Sequence, residues 1–115
     1  MVGLGGIFRP LTLSFVGPCA ISSVESYVAD RAFFSVKGIT PDGHLTEPNP
    51  LEAEVKRAMI RRSEDPVLLA DGRKFGLRAS SVIAHIREVS LVLAADAPES
   101  RIVALTEAGV EVRRV

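Results

Sequence analysis

Between Ala29 and Gly76, charged and small residues fall just after apolar runs: Lys37 and Gly38 follow AFFSV, and Asp71 and Lys74 follow PVLLA. Glu54 lies on the segment between them, and Arg9, ahead of Pro10, is a further loop cation. Lysines, arginines and backbone N–H groups hold anions, while carboxylates accept hydrogen bonds from hydroxyls. The stretch reads as strand, polar loop, amphipathic helix, strand, polar loop, which puts both loops at one end of a parallel sheet. Ligands of open α/β sheets bind outside the carboxyl ends of the strands. The pattern therefore predicts a small-molecule site drawn from Arg9, Lys37, Gly38, Glu54, Asp71 and Lys74. Plainer readings stand beside it. Lys74 is equally placed for a salt bridge to Asp71, Glu54 for a surface ion pair on its own helix, and Arg9 for solvent. His44 reads as an exposed loop histidine and His85, between Ile83 and Ile86, as a structural one.

The elements that position these residues follow from apolar periodicity and turn formers. Met1 to Leu4 reads as a short strand ended by glycines, and Leu11 to Val16 as a second strand. The stripe Ala20, Ile21, Val24, Tyr27 and Val28 has helical spacing. Ala32 to Val36 is a buried strand. Thr40 to Pro50, with Pro41, Asp42, Gly43, Pro48 and Asn49, is the longest irregular segment. Asn49 and Pro50 then predict a capped helix with Glu52 three residues past the cap, its apolar face being Leu51, Val55, Ala58 and Met59. Pro66 to Ala70 and Val89 to Ala95 are strands, Val82 to Ile86 is too short to assign, Glu99 to Ala108 is a helix stopped by Gly109, and Val110 to Val115 a closing strand. Alternation of this kind predicts a parallel α/β sheet. The glycines Gly3, Gly5 and Gly6 do not open a helix, so they make a tight turn rather than a dinucleotide fingerprint.

The 115 residues fit one domain with an aliphatic core, since 47% are hydrophobic, only 5% aromatic and none is Trp. Fourteen basic residues balance fourteen acidic ones, which excludes a whole-domain basic footprint for nucleic acid. The cluster Lys56, Arg57, Arg61, Arg62 reads as a solvated helix face. The lone Cys19 excludes an internal disulfide or a multi-thiolate metal site and is expected to be small and buried. No apolar run is long enough to span a membrane, and the expected location is cytoplasmic.

The segments LGGIFRPLTLSFVGPCA, ADRAFFSVKGITPDGHLTEPNPLEAEVKRAMI and VLLADGRKFG resemble the carboxyl-terminal sensor domain of DeoR-family bacterial transcriptional regulators. The resemblance covers essentially the whole chain. It implies a Rossmann-like, mainly parallel sheet flanked by helices, similar to ribose-5-phosphate isomerase and CoA transferases. It also implies an effector-binding domain for a phosphorylated sugar, acting through a homo-oligomer to control repression of carbohydrate genes, with no cofactor and no membrane. Family members carry a helix-turn-helix and a Thr-rich phosphate loop ahead of the LGG segment. By that comparison residues 1–115 are expected to be a partial sensor domain, touching DNA only through a helix-turn-helix not present in this chain. The isomerase relatives place paired aspartates where this chain has Phe34 and Lys37, so the resemblance implies sensing without catalysis. A small sugar-phosphate isomerase or transferase, or an oligomerising fragment without ligand, are the alternatives.

Overall fold

The computed structural model describes residues 1–115. Strands β1 (Ile7–Arg9) and β2 (Ser14–Val16) form an antiparallel hairpin, followed by helix α1 (Pro18–Glu25). Strand β3 (Ala29–Phe34) leads to β4 (Gly38–Ile39) and β5 (His44–Glu47), then helix α2 (Pro50–Arg61) and strand β6 (Ser63–Asp71). A 3-10 turn over Gly72–Lys74 precedes β7 (Ser81–His85), a second such turn over Ile86–Glu88, β8 (Leu91–Ala95), α3 (Glu99–Glu107) and β9 (Val112–Arg114). The main sheet is wholly parallel in the order β3-β6-β8-β9, and β4-β5-β7 make a separate antiparallel sheet.

The β3 to β6 crossover is α2, and its sequence explains its start. Asn49 accepts hydrogen bonds from the N–H groups of Leu51 and Glu52 at 2.8 and 3.2 Å, with Pro50 at the first helical position. Such a cap is worth about 1 kcal/mol. Ala53 and Ile60 of α2 then join Phe34, Leu68, Ala70, Val92 and Ala94 of the sheet in one core cluster, against which Leu105 of α3 also packs. The small sheet adds Ile39, Leu45, Ile83 and Ala84 to the same cluster. Every layer thus covers one face of the parallel sheet. The other face carries Arg31, Phe33, Asp65, Leu69, Leu93 and Arg113, with Phe33 56% and Leu69 42% exposed. Parallel sheets are ordinarily covered on both sides.

Several expectations shift. Met1 to Leu4 is not a strand; the first strand is Ile7–Arg9, in the hairpin and outside the parallel sheet. Leu11 to Val16 shortens to Ser14–Val16, because the hairpin turn needs Leu13 at φ 53°, a left-handed conformation incompatible with a strand. The Thr40–Pro50 segment is not simply irregular. Its Pro-Asp-Gly makes a turn in which the Gly43 N–H reaches the Thr40 carbonyl at 2.9 Å, with Gly43 at φ 92°, so the flanking residues become β4 and β5. Val82 to Ile86 becomes β7, paired with β5. Cys19 is exposed, not buried, since Ala20 is the α1 residue that turns inward.

Gly38 is buried in β4, where a side chain would run into the Leu77 carbonyl oxygen, whereas Gly5 has open space around its Cα. Gly38→Ala should lower unfolding free energy by about 1–3 kcal/mol, and Gly5→Ala should stay within about 0.5 kcal/mol of wild type. Urea unfolding followed by circular dichroism distinguishes the two; equal midpoints for both variants would contradict this packing.

Candidate functional site

The parallel register of β3 with β6 pairs Phe34 with Leu68, so the residues that follow both strands emerge on the same edge. Ser35, Val36 and Lys37 come from the end of β3, and Lys74 from the 3-10 turn after β6. The hairpin turn between β1 and β2 adds Leu11, Thr12 and Ser14, the end of β5 adds Glu47, and α2 adds Glu52 and Lys56. Together they line a cavity of about 350 Å³.

Its two carboxylates are buried, and each is held through its Oε1 atom. Oε1 of Glu52 accepts hydrogen bonds from Thr12 Oγ1 and Ser14 Oγ, both at 2.6 Å, and from Arg9 Nη1 at 3.0 Å. Glu47, 3% exposed, is ion-paired with the Lys56 ammonium, which also donates to the Ser35 carbonyl at 2.6 Å. With Arg9 and Lys56 each offset by a carboxylate, Lys37 and Lys74 are the cations of the wall that have no hydrogen-bonded or ion-paired partner within the chain. The cavity therefore presents two unmatched positive charges beside hydroxyls, a surface for an anion carrying hydrogen-bonding groups.

Lys37 and Lys74 are thus brought together, with Arg9 reaching the wall through Glu52. The other candidates lie elsewhere. Gly38 is buried behind the wall, its carbonyl accepting from Thr46 Oγ1 at 3.0 Å. Asp71 opens onto a neighbouring depression that shares Ser35 and Lys74. Its carboxylate accepts from the Arg73 backbone at 2.9 Å and from the Arg73 guanidinium at 3.2 Å, so its salt bridge is with Arg73 and not with Lys74. Glu54 is exposed on the outer side of α2 and does not line the cavity. The acidic α2 residue that does is Glu52, two positions earlier.

Glu52, Lys56, Thr12, Ser14 and Glu47 were not among the candidates. A signal exists for part of the set: Glu52 and Lys56 are spaced i, i+4 and share a helix face, whereas Thr12 and Ser14 flank the left-handed Leu13 of the hairpin turn, where no two-residue period applies. Lys56 accordingly leaves the solvated face expected of its cluster. Arg61 and Arg62 keep to the surface, where both contact Glu25. His85 is structural: its Nδ1 accepts from the Arg87 N–H at 3.2 Å and its Nε2 lies 2.8 Å from the Asp42 carbonyl oxygen. His44 sits 3.0 Å from the Asp42 carboxylate.

Burial pushes the Glu52 carboxyl up, but the Ser14 and Thr12 hydroxyls and the Arg9 guanidinium outweigh it and leave the group below its ordinary value. A carboxylate depressed in the folded state contributes stability above its unfolded pKa of about 4.3 and loses it as pH falls through the folded value. Wild type should therefore lose more stability between roughly pH 5 and pH 3 than Glu52→Gln does. Urea midpoints measured across that range should converge on acidification; parallel curves would mean that the ionised carboxylate adds nothing.

The sequence model for the "DeoR C terminal sensor domain" matches residues 1–95. An uncharacterized HTH-type transcriptional regulator of Bacillus subtilis, YulB, is 37% identical over 93 residues, covering 81% of this chain and 36% of that protein. The HTH-type transcriptional regulator GlpR of Haloferax volcanii is 34% identical over 89 residues, covering 77% of this chain and 35% of that protein. The L-fucose operon activator of Escherichia coli is 29% identical over 93 residues, 81% of this chain and 38% of that protein. The chain spans just over a third of the length of these relatives. With a Rossmann-like parallel sheet, a cavity at the carboxyl ends of its strands and a match over most of its length, the chain belongs to the DeoR C-terminal sensor domain family.

Proposed function

We propose that this domain binds a phosphorylated sugar as the effector of a transcriptional regulator controlling carbohydrate genes. The observation that carries the reading is the pair of unmatched cations, Lys37 and Lys74, at the carboxyl ends of β3 and β6. They suit a phosphate, and the Thr12 and Ser14 hydroxyls beside them suit sugar hydroxyls. One relative is an L-fucose operon activator, which agrees with a carbohydrate signal. Sensing is favoured over isomerisation because a general base must be a free acceptor within reach of the reacting carbon. Glu52 and Glu47 are each ion-paired through Oε1 with a cation of the chain, and the end of β3 carries Phe34, a core residue, where a carboxylate base would be needed. DNA contact belongs to a helix-turn-helix elsewhere in such regulators. No helix of this chain is long and apolar enough to cross a membrane.

A panel of pentose and hexose phosphates should raise the melting temperature, with the parent sugars giving no shift. Lys37→Ala and Lys74→Ala should each weaken binding of the responding compound about tenfold, the loss expected for a hydrogen bond to a charged group. Flat melting curves across the panel would refute the reading. Turnover of a pentose phosphate would replace it with the enzymatic alternative.

The same reading includes self-association, supported by the uncovered sheet face with Phe33, Leu69 and Leu93. Light scattering should show wild type larger than a monomer and Phe33→Asp monomeric. A monomeric wild type at high concentration would remove self-association from the proposal.

A further inference from the structure

Resting on the phosphate reading of the cavity, we propose that the β1-β2 hairpin is a strap that closes over the anion site, with Glu52 as its latch. Every side-chain hydrogen bond from the hairpin to the rest of the chain ends on one atom, Glu52 Oε1: from Arg9 at 3.0 Å and from Thr12 and Ser14 at 2.6 Å. The hairpin's backbone hydrogen bonds are those between its own strands; it shares none with either sheet or with α2. Its apolar hold is slight. Ile7, Phe8, Leu11, Leu13 and Phe15 are all exposed, and only Val16 at its base is buried, with Ala20 and Val55. A segment with few buried contacts and one polar anchor belongs to the low end of local stability.

Leu11, Thr12 and Ser14 of the hairpin are the wall that it contributes to the cavity lined also by Lys37 and Lys74. Lifting the hairpin removes that wall. Thr12 and Ser14 give their protons to Glu52 and offer a ligand only their oxygen lone pairs, so a phosphate that lies on the lysines and donates its P–OH to those oxygens has partners in the closed form that it lacks in the open one. It therefore shifts the hairpin toward closure by its difference in affinity. Glu52 is a positioning residue in this scheme: it holds the hydroxyls in place. Its substitution acts through the hairpin and not through the cations.

Hydrogen exchange read by mass spectrometry on this chain, with and without millimolar inorganic phosphate at constant ionic strength, tests both parts. Glu52→Gln should speed exchange of the amides in 7–16 about tenfold, the scale of a lost charged hydrogen bond, and leave those of β6 and β8 protected. Thr12→Val with Ser14→Ala removes the donors without touching α2, and should do the same if the Gln variant fails to fold. Phosphate should slow hairpin exchange in wild type and have less effect in either variant. Hairpin exchange unchanged within twofold in both variants would overturn the latch. Phosphate protection at Lys37 and Lys74 with none in the hairpin would overturn the strap and leave the anion site standing. Protection nowhere would overturn closure over phosphate together with the phosphate reading, while the latch is still judged by the two variants.

Discussion

The parallel pairing of β3 with β6 is the constraint on which the rest of this structure depends. A parallel pair cannot be joined by a tight turn, so the chain must cross over the sheet, and α2 with its Asn49 cap is that crossover. Once α2 lies on the sheet, its inward residues and the facing side chains of β3, β6 and β8 form the core. The same pairing sends the chain out of both strands at one edge. Lys37 and Lys74 are 37 residues apart in sequence, and no local interaction brings them together. The register does.

The polar side of the site is organised by charge balance. A buried carboxylate without donors is costly, and so is a buried ammonium without an acceptor. Glu52 collects three donors and Glu47 takes Lys56, which removes those four charged groups, Arg9 included, from competition for a ligand. What is left is a net positive cavity wall. The engaged carboxylates shape it by holding Thr12, Ser14 and Lys56 in place through their Oε1 atoms. Phe34 and Lys37 in place of carboxylates at the end of β3 and the ion-paired glutamates both agree with the proposal of an anion site without catalysis.

The alternation of β3, α2, β6, β8, α3 and β9 was legible in the sequence because each element carries a long apolar pattern or a distinct cap. The Asn49-Pro50 start and the Gly109 stop were read from capping chemistry alone, and the structure places helix boundaries beside both. Legibility ended where short elements depend on distant partners. β4 has two residues and β5 four, too few for a period, and they become strands because β7 pairs with β5 across more than thirty residues. The polar site was half legible for a related reason. Lys37 and Lys74 follow strands and were visible by position. Glu52 was noticed as part of a cap, but its partners come from a hairpin some forty residues earlier, and no spacing rule predicts that convergence.

The sheet is covered on one face only, and this asymmetry separates the molecule's two kinds of surface. On the covered side, small and branched aliphatics such as Ala53, Leu68, Val92 and Ala94 are buried almost completely, so that side tolerates little change in volume. On the open side, Phe33 alternates with buried Ala32 and Phe34 along β3, and Leu69 with buried Leu68 and Ala70 along β6. An alternation with aromatic and aliphatic residues on both faces is the pattern of a strand meant to be covered twice, unlike the polar outer face of a sheet that lives in water. The depression beside Asp71 and Lys74 opens onto this face, and Lys74 also lines the cation cavity. A partner on the open face would therefore reach the edge of the cation cavity. In the proposed sensor, that contiguity would couple binding at Lys37 and Lys74 to association through one shared lysine and the ends of β3 and β6.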